Sequence, residues 1–408
     1  MEPTHAYPFE TGADGAQPQL AAARRSHVPS WLVPLVLFVA TLCTTTLAGA
    51  ELATGGHWPG WGSTGPQLQL HLRHLWLGLP YMLGFVLFVT CHEFGHYLVA
   101  RWHRVRTTLP YYLPFFLPIA GAINIGSLGA IIRLKERPQS TRAYFDIGIA
   151  GPLAGFVVAL LLLVVGFLTL PAAPPHLLPR EPPAPDEPMV VAQLGNSLLY
   201  WLLEHSLASP ALRPPHTDLF HYPLLFAGFI ALFFTSLNLL PIGQLDGGHV
   251  VYGMFGSRIS SWVARATVLG LLLFGGLGML RIEELGTEPG AILYLAFIAF
   301  TLSRLYGYQR VRHNAGILLL LLGSQQLLQQ LWVHPPENYI WLFYSFMAVQ
   351  VIRVDHPRAA HEHRLDRKRM LLGGLALAIF VLCFCPSPIT LVELEASPTL
   401  LSLLHAWN

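Results

Sequence analysis

Long apolar runs constrain this sequence more than any other feature. A helix of about 20 apolar residues crosses the hydrocarbon core of a bilayer, and several runs approach that length. The chain is 53% hydrophobic and only 11% charged, which excludes an ordinary soluble domain. We therefore predict an all-α polytopic membrane protein, a helical bundle of about eight to nine transmembrane spans in contact with the lipid bilayer.

The distribution of basic residues predicts the orientation of the spans. With the N-terminus in the cytoplasm, 20 of the 24 Lys and Arg residues fall in predicted cytoplasmic segments, as the positive-inside rule requires. A net charge of +2 gives no reason to expect a nucleic acid partner. The expected location is the inner membrane of a bacterium.

The same pattern divides the chain into four predicted parts. They are a disordered cytoplasmic tail (1–29), a core membrane domain (30–252), C-terminal membrane helices (253–386) and an extracytoplasmic tail (387–408). The core domain includes an extracytoplasmic loop at 171–221, within which residues 190–205 are predicted to form a surface helix.

One apolar run carries the sequence His92-Glu93-Phe94-Gly95-His96. Residues four apart share a helix face, so both imidazoles can reach one metal ion. Two histidines, a carboxylate and water make a catalytic zinc site, for which Glu93 is the expected general base. Ionisable groups are costly within a membrane and indicate function there. The alternative is a pair of histidines that only satisfy each other in the bundle.

A second unusual stretch, Leu237–His249, ends the predicted fourth span. Pro241 and the Gly247-Gly248 pair interrupt the helix, and Asp246 falls at the same predicted depth as the two histidines. Asp246 is therefore the predicted third ligand of a Zn²⁺ ion. An ordinary turn is the alternative, because Asp-Gly-Gly is common in loops.

The two motifs are about 150 residues apart and resemble those of the site-2 protease family of intramembrane zinc metalloproteases. The likeness is greatest to bacterial and plastid members without a PDZ domain, and it covers about Leu75 to Val251. It includes the sequence Gly151-Pro152-Leu153-Ala154-Gly155, whose small residues are predicted to let this span pack closely against a neighbour.

The resemblance implies a role for each residue of the motifs. His92, His96 and Asp246 would bind zinc, and Glu93 would activate water. Asn238 would assist the transition state, although an interhelical hydrogen bond is an equally simple role for a polar residue in an apolar helix.

The segment between the motifs, residues 109–134, is apolar but rich in Pro and Gly, which excludes a plain helix. Its pattern predicts short strands around a turn, and basic residues flank both ends, so it leaves the membrane on the side it entered. We predict a re-entrant β-hairpin-like loop whose edge binds an unwound substrate, with Asn124, Gly126 and Ser127 as the substrate-binding residues. The resemblance implies a hairpin here too. The alternative is a loop that only packs.

Together these features predict a zinc-dependent intramembrane endopeptidase. It would hydrolyse a peptide bond in or near a transmembrane segment of a membrane protein, which we expect to have a single span. Its active site would lie on the cytoplasmic side, in regulated intramembrane proteolysis. A prenyl-protein endopeptidase is the rival enzyme, but no apolar span supplies its downstream glutamate.

The non-enzymatic alternatives are a metal transporter and a membrane scaffold with a relic zinc site. The sequence leaves the oligomeric state open. Three further histidines, His356, His361 and His363, lie in a basic stretch that is predicted to be a solvated cytoplasmic loop.

Overall fold

A computed structural model of the protein describes residues 29–55, 74–117, 123–171, 189–280, 289–331 and 338–394. The predicted disordered tail at 1–29 lies almost wholly outside the described residues, as do 172–188 of the predicted loop and 395–408 of the predicted second tail. The described residues are mostly helical and also form four short strands.

Ten α-helices form in this part of the chain. They are α1 (Leu32–Thr54), α2 (Leu79–Trp102), α3 (Thr141–Leu168), α4 (Leu198–Leu207), α5 (Pro223–Asn238), α6 (Asp246–Gly275), α7 (Pro289–Tyr306), α8 (Val311–Leu331), α9 (Tyr339–Met347) and α10 (Arg367–Cys383). A 3₁₀ turn, Leu75–Gly78, leads into α2.

Three helical segments are long and apolar enough to cross a membrane. They are Leu32–Thr54, Leu75–Trp102 and Thr141–Leu168, whereas three further apolar helices are shorter. The predicted helical character is therefore confirmed, while the count of eight to nine spans stays a prediction.

Local sequence explains where several helices begin and end. The Ser140 hydroxyl accepts a hydrogen bond from the Ala143 N–H and caps α3, and Asp366 caps α10 by accepting from the Arg369 N–H. Both residue types are favoured at this position because they satisfy free backbone donors. Helix α5 starts at Pro223, where a missing N–H costs nothing, and it ends three residues before Pro241.

Strands β1 (Tyr111–Pro114) and β2 (Ser127–Ile131) form an antiparallel hairpin, with Tyr111 opposite Ile131. Residues Thr107 and Leu134 bridge at its base, so the segment leaves next to where it arrives. Farther along, the Gly126 carbonyl accepts a hydrogen bond of 2.7 Å from a hydroxyl of α1. The predicted hairpin is thus present. Its re-entrant position in a membrane stays a prediction.

Strands β3 (Met189–Leu194) and β4 (Ile389–Leu394) pair antiparallel over six residues. The predicted surface helix at 190–205 is wrong in its first part, because Val190 and Val191 favour extended backbone and find a partner strand. The helix starts only at Leu198, after the Ser197 cap. The pairing also puts the predicted loop and the predicted C-terminal tail on one side of the molecule.

Helices α2 and α3 cross at backbone contact. A Cβ added to Gly95 would lie 2.6 Å from the Ala150 carbonyl oxygen and 3.0 Å from the Gly151 Cα, so no larger residue fits without moving a helix. At the end of α2 the chain is fixed by Asp146 of α3, which accepts from His103 at 2.9 Å and from Arg369 of α10 at 2.7 Å through both oxygens. This packing holds α2 in one place relative to α3.

We expect Gly95→Ala to destabilise this crossing by about 1–3 kcal/mol, because the added methyl group meets backbone that cannot yield locally. The free energy of unfolding in detergent micelles measures the effect. Gly270→Ala is the matched control, since nothing lies within 4 Å of that position and Ala is the better helix former. Equal losses in the two variants would contradict the close crossing.

Candidate metal centre

His92 and His96 lie on one face of α2, and both are buried. Their Nε2 atoms are 3.1 Å apart. The Nδ1–H of His96 donates to the Ile147 carbonyl oxygen at 2.7 Å, and that proton assignment leaves Nε2 free to bind a metal. The helix spacing predicted from the sequence therefore brings the two imidazoles together.

Asp246 is the first residue of α6, and the turn before it is built of close backbone contacts. Within that turn the Ile242 N–H donates to the Leu240 carbonyl at 2.7 Å, and the Leu245 N–H donates to the Ile242 carbonyl at 3.0 Å. Gly243 adopts a left-handed conformation with φ of 47°, which favours glycine. The turn thus reverses the chain after α5 and presents the Asp246 carboxylate to α2.

Three ligand atoms converge as a metal ion requires. Oδ2 of Asp246 lies 3.4 Å from Nε2 of His92 and 3.3 Å from Nε2 of His96. Ligand atoms about 2.0–2.1 Å from a tetrahedral zinc ion are about 3.3–3.4 Å from one another. The donor set and its spacing therefore fit Zn²⁺. Within the described ranges this is the single group of three such side chains that could share an ion.

Helix α3 closes one side of this group. A Cβ added to Gly155 would lie 3.2 Å from Nδ1 of His92, and one added to Gly151 would overlap the imidazole of His96. The predicted close packing of this glycine pair is thus seen, and its neighbours are the two histidines themselves.

Glu93 and Asn238 lie beside the group without belonging to it. The buried Glu93 carboxylate accepts a hydrogen bond of 2.9 Å from the Ile132 N–H, just after β2, through Oε2. Nδ2 of Asn238 approaches Nε2 of His92 at 3.3 Å. Asn238 thus makes an interhelical contact, and it makes that contact at a candidate ligand.

A cavity of about 420 Å³ opens onto these side chains. One wall is apolar and includes Phe88, Phe234 and Leu237, and the hairpin contributes residues 128–132. The cavity is large enough to hold several residues of an extended peptide next to the candidate metal ligands.

Asn124, Gly126 and Ser127, the predicted substrate-binding residues, do not line this cavity. The Asn124 amide donates to Glu51 at 2.8 Å and pairs with both backbone groups of Leu117. The Ser127 hydroxyl donates to the Leu113 carbonyl oxygen at 2.9 Å. These contacts hold the hairpin in shape, and the following residues of β2 face the cavity.

Several residues at the site had no signal in the sequence. The Ile132 backbone N–H holds Glu93, and Tyr344 of α9 lines the cavity while donating to the Leu237 carbonyl oxygen at 3.2 Å. His356, predicted to be solvated, is 8% exposed, whereas His361 and His363 are exposed as predicted. Backbone donors and distant apolar helices leave no local pattern by which they could be recognised.

Comparisons with known proteins find zinc metalloproteases among the similar sequences. Over 276 residues the chain is 28% identical to "Probable zinc metalloprotease EGY1, chloroplastic" of Arabidopsis thaliana, covering 62% of this chain and 47% of the relative. It is 31% identical over 215 residues to the EGY1 protein of Oryza sativa subsp. japonica, covering 52% and 34%. It is 29% identical over 245 residues to "Probable zinc metalloprotease EGY2, chloroplastic" of Oryza sativa subsp. indica, covering 60% and 40%.

The chain thus spans less than half the length of these relatives. No solved structure matches it. The description of peptidase family M50 matches residues 80–277, which contain α2, the hairpin, α3, α5, the Asp246 turn and α6. Over this region the chain matches peptidase family M50, the site-2 protease family.

Proposed function

We propose that the protein is a zinc-dependent intramembrane endopeptidase. The observation that carries the proposal is the meeting of two imidazoles and one carboxylate at 3.1–3.4 Å, with a second carboxylate, that of Glu93, beside them among apolar helices. The match to peptidase family M50 and relatives whose names describe zinc metalloproteases support it.

In this proposal His92, His96 and Asp246 hold the metal. When bound, zinc supplies a Lewis acid that polarises the scissile carbonyl group and makes water a better nucleophile at neutral pH. The Ile147 carbonyl keeps the His96 ring in the tautomer that binds, since it accepts the Nδ1 proton. Glycines of α3 leave room for both rings.

Glu93 is the general base. Its Oε2 is held by the Ile132 N–H, so Oε1 is the oxygen left to accept a proton from the attacking water. The water oxygen adds to the carbonyl carbon, the C–N bond then breaks, and the proton passes from Glu93 to the departing amine nitrogen. A scaffold or a transporter would have no use for a base in this place.

Asn238 stabilises charge on the substrate. Its amide now lies 3.3 Å from Nε2 of His92, an atom whose lone pair a bound metal would occupy. The Asn238 N–H donors are then left to a nearby carbonyl oxygen of the substrate as negative charge develops on it.

The hairpin binds the substrate backbone. A transmembrane substrate must unwind before a peptide bond is accessible, and an extended segment can add to a strand edge. Residues 128–132 present that edge in the cavity. Asn124, Gly126 and Ser127 act on the substrate indirectly, because their polar groups fix the hairpin.

The proposed setting is a membrane with the N-terminus of the chain in the cytoplasm, in the bacterial inner membrane, and with a single-span protein as substrate. The apolar helices and the charge distribution support it. Helix α2 ends at Trp102, just before Arg104 and Arg106, and these basic residues support a position of the ligands nearer the cytoplasmic face.

The metal content tests the ligand set. We expect about one zinc ion per chain, and replacing His92, His96 or Asp246 by Ala should remove most of it because a tetrahedral site has no spare protein ligand. Inductively coupled plasma mass spectrometry of the purified protein measures this. His103→Ala is the control, since that histidine pairs with Asp146 away from the site. Full zinc in Asp246→Ala would exclude Asp246 as a ligand.

The Glu93→Gln variant tests the enzyme. It should keep its zinc yet lose a factor of about 10²–10⁴ in rate, because Gln cannot accept the proton. Two probes are suitable, namely a single-span membrane protein with a Gly-rich span and fluorescein-labelled casein, which is already unfolded.

Glu136→Gln is the matched control, because the Glu136 carboxylate also accepts a backbone N–H, from Arg106 at 2.8 Å, at the hairpin base. It should retain near-normal activity. Cleavage by Glu93→Gln at the wild-type rate would rule out Glu93 as the base.

Accessibility of inserted tags tests the orientation. A tag in the predicted loop at 171–221 should react from outside the cell, and a tag placed between Arg353 and Arg369 should react only after the membrane is opened. The reverse pattern would place the candidate metal site near the outer face and contradict cytoplasmic cleavage.

A further inference from the structure

Residues 353–366, between α9 and α10, form a segment that we call the strap. It follows a π-helical turn, Ala348–Ile352, and begins at Arg353, whose φ of 67° is unusual for a non-glycine residue. Such turns and such backbone are often found at functional sites. The strap lies outside the residues that match peptidase family M50.

The start of the strap packs on the turn that presents Asp246. A Cβ added to Gly243 would overlap the Arg353 carbonyl, so the two backbones are in direct contact. Val354 is buried in the same apolar cluster as Leu240 and Ile242 of that turn. The strap therefore packs directly against the turn that precedes Asp246.

Farther along, the strap contacts α6 through a histidine pair. His356 Nε2 lies 2.6 Å from Nδ1 of His249, and His249 lines the cavity one helical turn after Asp246. The His356 ring stacks on Tyr252 with centroids 4.0 Å apart. The Tyr252 hydroxyl accepts from the Ala359 N–H at 2.8 Å, so the strap is also bonded to α6 just after His356.

These contacts leave one polar atom of His249 for the cavity. Nδ1 is taken by His356, Tyr144 stacks on the ring at 5.5 Å, and Gly148 of α3 allows the Cβ side to pack closely. In the part of the chain that the structure describes, Nε2 has no hydrogen-bond partner. That nitrogen is therefore available to a peptide bound in the cavity that His249 lines.

The free-energy cost of burying His356 indicates that the histidine pair does more than fill space. Burial and the adjacent His249 lower the pKa of His356 to about 3, so a neutral imidazole occupies this position. Its Nδ1 is buried without a partner among the described residues, which destabilises the fold relative to an apolar side chain. What a histidine provides at position 356, and an apolar residue would not, is the hydrogen bond to the His249 imidazole.

We propose that His356 is a positioning residue, which orients the His249 imidazole so that its Nε2 hydrogen-bonds a peptide bound in the cavity. The strap thereby completes a site whose other parts all lie within residues 80–277. This inference rests on the proposed endopeptidase function. The group that touches the substrate is His249, and His356 acts through it.

Kinetics on fluorescein-labelled casein test the proposal. His356→Ala should lower kcat by about tenfold, the effect of a misplaced hydrogen bond in a transition state, with KM and zinc content little changed. His356→Gln should recover most of the rate, because its terminal amide reaches the place of the ring Nε2. Asp355→Asn is the control: Asp355 lies in the same strap, the change removes only its exposed ion pair with Arg265 of α6, and the variant should be fully active.

A double-mutant cycle separates action through His249 from any other role. His249→Ala and His249→Ala/His356→Ala should have the same rate, because the second change removes a contact that no longer exists. A further tenfold loss in the double variant would overturn the proposal, as would wild-type kinetics in His356→Ala.

A measurement without turnover keeps this proposal distinct from the proposed function. With ring-¹⁵N-labelled histidine, the His249 signals, identified by their loss in His249→Ala, should show one fixed tautomer in the wild type and in His356→Gln. They should show averaged tautomers in His356→Ala. An inert wild type with this pattern would contradict the endopeptidase but not the contact, whereas a His249 tautomer unaffected by His356→Ala would overturn the positioning role.

Discussion

Burying the Asp246 carboxylate among apolar helices costs free energy unless positive charge or hydrogen bonds compensate it. Two imidazoles within 3.4 Å provide partial compensation, and a divalent ion held by all three would provide it fully. Compensating this charge therefore requires the C-terminal part of α2, with His92 and His96, to lie next to the start of α6. The rest of the fold is arranged to let the two meet. Helix α3 crosses α2 at backbone contact, the glycines at the turn after α5 have no room for a Cβ, and the strap packs against that turn.

The hairpin imposes a second constraint, which is that its backbone groups need hydrogen-bond partners. Backbone that is not helical leaves donors and acceptors free, and in an apolar setting they need partners inside the protein. Some partners come from α1 through the Gly126 carbonyl and from Glu51 through Asn124. Another is Glu93, which accepts the Ile132 N–H. The hairpin thus satisfies its own backbone partly by using the proposed catalytic base.

Local spacing explains why so much of the site could be predicted. His92 and His96 share a helix face because of their separation alone, and the Pro and Gly content between 109 and 134 excluded a helix. The predicted meeting with Asp246 needed only matched depth on two helices. Contacts such as His356 with His249, or β3 with β4, join residues far apart in the chain and leave no periodic pattern. Asn124 was predicted to bind substrate for a related reason. A polar residue in a hairpin can equally well hydrogen-bond the backbone of the hairpin, as Asn124 does with Leu117.

The pairing of β3 with β4 has a consequence for how the chain is made. Some 195 residues separate Leu194 from Ile389, and ribosomes add roughly 5–20 residues per second. Strand β3 therefore leaves the ribosome on the order of ten to forty seconds before its partner exists. Throughout that interval an unpaired strand edge, with two adjacent valines, is open to proteases and to neighbouring chains. The metal-binding part of the molecule can assemble while β3 is still unpaired, so this sheet forms late in folding.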